Sequence, residues 1–220
     1  MARGCGMRLR GIGLAALLLA ASATQAQTDV LVSHYDSGRT SANLSETTLN
    51  VQNVNSGTFG KLYSVPVDGY LYAQPLYKSN VTIAGKGPFN VVFAATEHGS
   101  VYAFDAATAT PLWHRSFVNP AAGLTSRPAN SSLEDLTPEV SITSTPVIDP
   151  ASGTLYVVAE TVQSGSPALY WLHALDITTG ADKVTPMLVA ASVNGNGNGG
   201  NGTTVPWVAT QQLQRPAGHG

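Results

Sequence analysis

The pattern of hydrophobic positions is organised around residues 90–117, NVVFAATEHGSVYAFDAATATPLWHRSF. Three apolar runs, 91–96, 101–105 and 112–117, are separated by the turn-forming groups His98-Gly99-Ser100 and 106–111. Val, Phe, Tyr and Trp dominate the runs and neither face is polar, so the pattern predicts strands of a sheet covered on both sides. A meander this short cannot bury two apolar faces alone, which predicts further copies of it.

One copy is present. VYAFDAATATPLW (101–113) lies over LHALDITTGADKV (172–184) at an offset of 71, with Asp105 on Asp176, Ala103 on Ala174 and Thr108 on Thr179. Pro75 meets Pro146 at the same offset, whereas VVFAAT meets LYVVAE at 64, which sets Val91 on Leu155. The first unit is then seven residues longer before this strand and the second seven longer after it. Insertions between strands are what a repeat architecture tolerates. The expected unit is a four-stranded meander A-B-C-D. Its strands fall at 70–77, 91–96, 101–105 and 112–117, and again at 142–148, 154–160, 170–176 and 183–190.

The segments around these units divide the chain. Residues 27–58 read as a lead-in strap across the first repeats, in which Asp36 and Arg39 are candidates to pair and Ser45-Glu46 to open a helical turn. Residues 59–67 predict a strand before the Asp68-Gly69 turn, and 81–89 a Gly-Pro connection. The excursion 118–140 holds Pro120, Gly123, Pro128 and Pro138 and no β-pattern, which makes it a candidate functional loop. Residues 59–190 are expected to form the repeats. In 191–220, the run NGNGNGGNG (194–202) reads as a flexible linker before the approach to a third repeat.

Residues 1–26 carry Arg3, Arg8 and Arg10 before an apolar run at 11–23, then the small residues of Thr24-Gln25-Ala26 or Ala21-Ser22-Ala23. The run is shorter than the roughly twenty residues that span a bilayer, so a cleaved signal peptide and a secreted or periplasmic location are expected, with no membrane span. Cys5, the one cysteine, falls inside this segment. Without the leader, 8 basic residues face 13 acidic ones, a formal charge of −5. No basic stripe exists, and nucleic acid is excluded as a partner.

At these residues the chain resembles the pyrroloquinoline-quinone-type β-propeller repeats of quinoprotein dehydrogenases and their non-enzymatic relatives. That blade ends a strand in an Ala-Leu-Asp-like triplet, then a Thr-Gly turn, then a Trp. Ala103-Phe104-Asp105, Thr108 and Trp113 follow it with Ala109 in place of the glycine; Ala174-Leu175-Asp176 and Thr179-Gly180 follow it with Val184 in place of the Trp. The resemblance covers roughly residues 49–190, including Asn53-Val54 before Leu62. It implies an all-β fold, a partial β-propeller of about two complete four-stranded antiparallel meander blades plus flanking strands. The Asp should accept hydrogen bonds from its turn, and the Trp should lie flat on the neighbouring blade. Faces bearing Val92, Tyr102, Tyr156 and Leu175 should stay uncovered until further blades complete the ring, so these 220 residues are not expected to be self-sufficient.

No residue is assigned as catalytic, cofactor-binding or metal-ligating. Quinoprotein dehydrogenases place the quinone beside calcium, with acidic ligands and often adjacent cysteines. Here 70–74 reads Tyr-Leu-Tyr-Ala-Gln where such an enzyme has a cofactor-contacting Glu. Thr143-Ser144-Thr145-Pro146 resembles a quinone-contacting segment, but Gln163-Ser164-Gly165-Ser166-Pro167 replaces the expected glycine-rich stretch. His34, His98, His114 and His173 lack the close spacing of a local metal motif, and Glu134, Asp135 and Glu139 lack a calcium-loop spacing. The expectation is a non-catalytic binding or assembly module, with a small molecule, glycan or protein held on the face formed by loops 118–140 and 161–168. The alternatives are part of a quinone-dependent dehydrogenase, with pyrroloquinoline quinone and calcium held by residues beyond Gly220, or a carbohydrate- or surface-binding propeller.

Overall fold

A computed structural model describes residues 28–129, 136–211 and 213; the expected leader, Glu134, Asp135 and residues 214–220 lie outside the described residues. The chain is all-β. Strands β1 (Leu76–Ile83), β2 (Gly87–Ala95), β3 (Ser100–Asp105) and β4 (Pro111–Ser116) form an antiparallel meander in sequence order. After the 3-10 turn Pro120–Ala122 come the two-residue strands β5 (Leu124–Thr125), β6 (Arg127–Pro128) and β7 (Glu139–Val140). The second meander is β8 (Val147–Asp149), β9 (Thr154–Gln163), β10 (Ala168–Asp176) and β11 (Met187–Leu188), with β5 added on the same edge of β9 as β8. A hairpin of β12 (Ser192–Asn194) and β13 (Thr204–Pro206) follows. Among the described residues no helix is long and apolar enough to cross a membrane.

The two meanders stack face to face over one core, in which Val91, Phe93, Val101 and Ala103 of the first sheet meet Leu155, Val157, Leu175 and Ile177 of the second. Ladder pairs fix which faces these are. Phe93 lies opposite Ala103, and Val157 opposite His173. Val91 pairs with Asp105 and Thr154 with Asp176, so Val91 corresponds to Thr154, an offset of 63 and not the expected 64. A one-residue slip changes the face of every side chain. With it corrected, the back of the first sheet packs on the front of the second, and the two sheets are related as successive copies of one unit. Leu175, expected on an uncovered face, is therefore fully buried between them, while Tyr156 remains 40 % exposed on the back of the second sheet.

The expected role of the aspartates holds. Asp105 accepts from the Ala107 N–H at 3.0 Å and the Thr108 hydroxyl at 2.6 Å; Asp176 accepts from the Thr178 N–H at 2.7 Å and its hydroxyl at 2.6 Å. Asp149 closes the β8–β9 turn in the same way. These bonds favour the ionised form and hold the Asp105 and Asp149 carboxyls below their ordinary 3.8. Trp113 lies, as expected, on the neighbouring sheet. Its Nε1–H donates to the Ile177 carbonyl at 2.9 Å, and its ring sits so close to Gly180 that a Cβ there would be 2.6 Å from Cε3. Gly180 also has φ +74°, so both space and backbone require glycine. Beside it, Asp182 accepts from Arg115 at 2.6 Å and pairs with His173 Nδ1 at 2.9 Å, while the His173 ring lies 4.0 Å from that of Phe117.

Several expected boundaries move. Strand β1 covers Leu76–Ile83 and not 70–77, and 81–89 is the β1–β2 hairpin rather than a connection. A register shift between Lys78 and Val81, with Asn80 at φ 54°, lets the strand continue past its polar middle, and Gly85 and Gly87 make the turn. The expected strand 59–67 has no ladder partner among the described residues, and Asp36 accepts from Thr40 within the strap, with Glu46 capping the N–H groups of Thr48 and Leu49 in place of a helical turn. The 118–140 excursion contains three short strands, and the Asn/Gly run turns the β12–β13 hairpin. The second unit's outer strands shrink to Val147–Asp149 and Met187–Leu188. The strap does cross the first repeat: Val30 bridges Tyr77, Asp29 holds Lys78 at 2.8 Å, and Leu31 accepts from the Ile148 N–H.

Replacing Trp113 by Ala removes the ring that joins the sheets and should cost about 3–5 kcal/mol in urea unfolding. Gly180→Ala, which adds one methyl, should cost at least about 1 kcal/mol. Burial pushes the His173 imidazole below its ordinary 6.5, against the pull of Asp182. Between that lowered value and 6.5 the unfolded chain binds more protons, so stability should be complete above about pH 6.5 and decline as the pH falls through this window. Chemical unfolding from pH 8 to 5.5 checks this, and the His173→Gln variant should lose that part of the slope.

Candidate binding cleft at the loop end of the sheets

Towards the loop end of β2 and β9 the repeats carry a glutamate at equivalent positions, Glu97 just past β2 and Glu160 within β9, offset by 63; both are fully buried. Each anchors the 118–140 excursion. Glu97 Oε2 accepts from the Ser141 N–H at 2.7 Å where the excursion returns to the sheets. Glu160 takes Arg127 from β6, with Nε to Oε1 at 2.5 Å and Nη2 to Oε2 at 3.2 Å. Tyr170 also hydrogen-bonds this carboxylate. Burial raises the Glu160 carboxyl from its ordinary 4.5 and Arg127 pulls it back, the balance expected of a dry, bidentate pair. Ser141 ties the strands further, donating its hydroxyl to the Glu160 carbonyl at 2.7 Å.

This anchoring brings the two expected loops together. Leu124 and Thr125 of β5 pair with Gln163 and Val162, the Ser164 N–H donates to the Gly123 carbonyl, and Gln163 Nε2 donates to the Ala122 carbonyl. The region 161–168 is largely strand, its turn confined to residues 164–167. Beside the joined loops, a cleft of about 540 Å³ is lined by Asp68, His98, Thr125, Ser126 and Glu139, with Val118 and three prolines, Pro120, Pro128 and Pro138, as its walls.

Its polar groups are preset. Glu139 receives the Ser126 hydroxyl and faces His98 Nδ1 at 3.0 Å from both carboxylate oxygens. Asp68 accepts from the Thr96 hydroxyl at 2.8 Å and from Ser100. The approach of the 68–70 segment is close: a Cβ on Gly69 would be 2.8 Å from the His98 backbone nitrogen. Two carboxylates and one imidazole line the cleft, with no lysine or arginine among its lining residues, so it presents hydrogen-bond acceptors and an acidic bias.

Of the histidines considered, His98 enters the cleft, His114 stacks on Tyr102 at 4.3 Å, His173 sits between the sheets, and His34 lies in the strap beside Gln74. Asp68, Ser100 and His114 form a Ser-His-Asp set in composition, with His114 Nε2 3.0 Å from Ser100 Oγ. Its order is wrong for acyl transfer: the Ser100 hydroxyl is fully buried and donates to the aspartate, leaving the histidine at the end of the chain. Thr143, Ser144 and Thr145 are buried, and Thr145 Oγ1 accepts from the Gln74 N–H at 2.9 Å, tying the entries of the two repeats together. Among the described residues no three His, Cys, Asp or Glu side chains converge as a metal site. Asp68, Ser126 and the Arg127–Glu160 pair escaped the sequence reading; the paired positions of Glu97 and Glu160 were the available signal. No protein-family model and no curated protein matches the chain.

Truncating Arg127 to Ala should cost about 3–5 kcal/mol in equilibrium unfolding, because it strands a buried carboxylate. The apolar double replacement Arg127→Met with Glu160→Leu should recover most of that loss.

Proposed function

We propose that the chain is an exported repeat protein of β-propeller type that acts as a non-catalytic binding module, and that its ligand is a glycan held in the cleft at 68, 98, 126 and 139. The observation that carries this reading is the cleft itself: preset carboxylates between proline walls, on a rigid stack of sheets, suit a ligand rich in hydroxyl donors. The propeller assignment is supported by the unit-to-unit relation of the sheets and by Trp113 lying on Gly180. The leader-like segment 1–26 supports export. A quinone-dependent reading gains no support from Thr143–Thr145, which are engaged in packing.

A glycan microarray probed with the purified protein tests the proposal. Binding to a defined set of glycans should be lost in Glu139→Gln and Asp68→Asn, and retained in Ala84→Ser at the opposite hairpin tip. A blank array, or binding insensitive to both cleft substitutions, would sink the glycan reading.

A further inference from the structure

The Asn/Gly run at 194–202 takes no part in the core or the cleft. It holds four Asn-Gly pairs: Asn194-Gly195, Asn196-Gly197, Asn198-Gly199 and Asn201-Gly202. An asparagine before glycine has a carboxamide open to attack by its own backbone, because glycine has no Cβ to shield the following nitrogen. Attack requires two local conditions. The glycine N–H must be free of a hydrogen bond, and the backbone must be able to rotate until that nitrogen faces the asparagine Cγ. The β12–β13 hairpin meets these conditions unequally at the four pairs.

The outer pairs are held. Asn194 is the last residue of β12, in register with Thr204 of β13, and the Gly195 N–H donates to the Thr203 carbonyl at 2.9 Å. Asn201 has its carboxamide engaged. Its Oδ1 accepts from the N–H groups of Thr203 and Thr204, at 3.0 and 2.8 Å, and from the Thr203 hydroxyl at 2.9 Å. Between them, Gly197 is seated on the hairpin. A Cβ there would lie 3.5 Å from Val205 Cγ2, and the Gly197 carbonyl accepts from the Gly200 N–H at 3.1 Å.

Asn198 and Gly199 are the two central residues of the turn that this last bond closes. The peptide between the central residues of such a turn takes no part in the closing bond, so it rotates without breaking it. Neither the Gly199 N–H nor the Asn198 carboxamide makes a hydrogen bond among the described residues. Gly199 has φ +87°, and nothing lies within 4 Å of the place a Cβ would take. Both residues are exposed. Of the four pairs, this one meets both conditions.

We infer that Asn198 is a site of spontaneous covalent modification, at which the folded chain converts itself to an aspartyl or isoaspartyl form. The Gly199 nitrogen loses its proton to hydroxide and attacks Asn198 Cγ. The new N–Cγ bond closes a cyclic imide as the Cγ–Nδ2 bond breaks, and the amide nitrogen takes a proton from water and leaves as ammonia. A water molecule then adds to either imide carbonyl. One opening leaves an aspartate at position 198; the other leaves its isomer, whose backbone runs through the side chain and is longer by one methylene. Either product puts a negative charge at the hairpin tip, on a chain whose formal charge outside the leader is already −5. The isomer also lengthens the turn between Gly197 and Gly200, whose closing bond is then lost. The inference does not rest on the glycan reading, because the hairpin lines no part of the cleft.

Timed peptide mapping by mass spectrometry tests it, on the purified full chain held in mildly alkaline buffer, folded and in urea. In urea the four pairs should react at similar rates. In the folded chain Asn198 should keep its unfolded rate within about threefold, while Asn194 and Asn201 slow at least about tenfold. Aspartyl and isoaspartyl peptides should both appear, and Asn198→Gln should lose the fast phase while unfolding at the wild-type temperature. An Asn198 no faster than the other three in the folded chain overturns the inference. Aspartyl product alone, the mark of direct hydrolysis, overturns the cyclic route.

Discussion

The structure depends on one contact, the Trp113 indole laid against the Gly180 turn. A four-stranded meander with two apolar faces has no stable existence alone, and the remedy is to set the back of one on the front of the next. Core packing supplies area for this but little direction. The indole N–H bond to the Ile177 carbonyl and the bare Cα of Gly180 fix where the second sheet sits. The Asp176 turn is in turn held by its own side-chain bonds, so the docking surface is rigid before the Trp arrives. Arg115, Asp182 and His173 extend the same line along the junction.

The loop end follows from that stacking. Because the sheets are successive copies, Glu97 and Glu160 emerge at equivalent places, and the chain passing between the sheets has two buried carboxylates to settle against. One receives a backbone N–H and the other a guanidinium, which differentiates the two ends of the excursion. What lies between them is held open by prolines and lined by Asp68, His98 and Glu139. Repetition thus builds a site that is not itself repeated.

Local features were legible in the sequence; relations between distant segments were less so. The Asp-turn-Trp spacing identified β3, β4 and β10 and the roles of Asp105, Asp176 and Trp113, because hydrogen bonds within a turn depend on neighbours in the chain. The apolar run LYVVAE was read one residue out of register, since a strand buried on both faces has no alternation to set its phase. The Arg127–Glu160 pair joins a residue of a proline-rich stretch without periodicity to one 33 positions away in β9, and nothing local announces it. Residues 59–67 have a strand pattern and yet no partner strand among the described residues. Their sequence reports what the segment can pair with rather than what it touches.

If the two sheets are one cooperative unit held through Trp113, the indole N–H should open only when the unit unfolds. Native-state hydrogen exchange is the most direct measurement. The Trp113 Nε1–H should exchange with the same free energy, and the same denaturant dependence, as the amides of Phe93 in β2 and Val157 in β9. An indole that exchanges far faster than either amide, or sheets that open with different free energies, would mean that the units are independent and that the docking contact does not govern the fold.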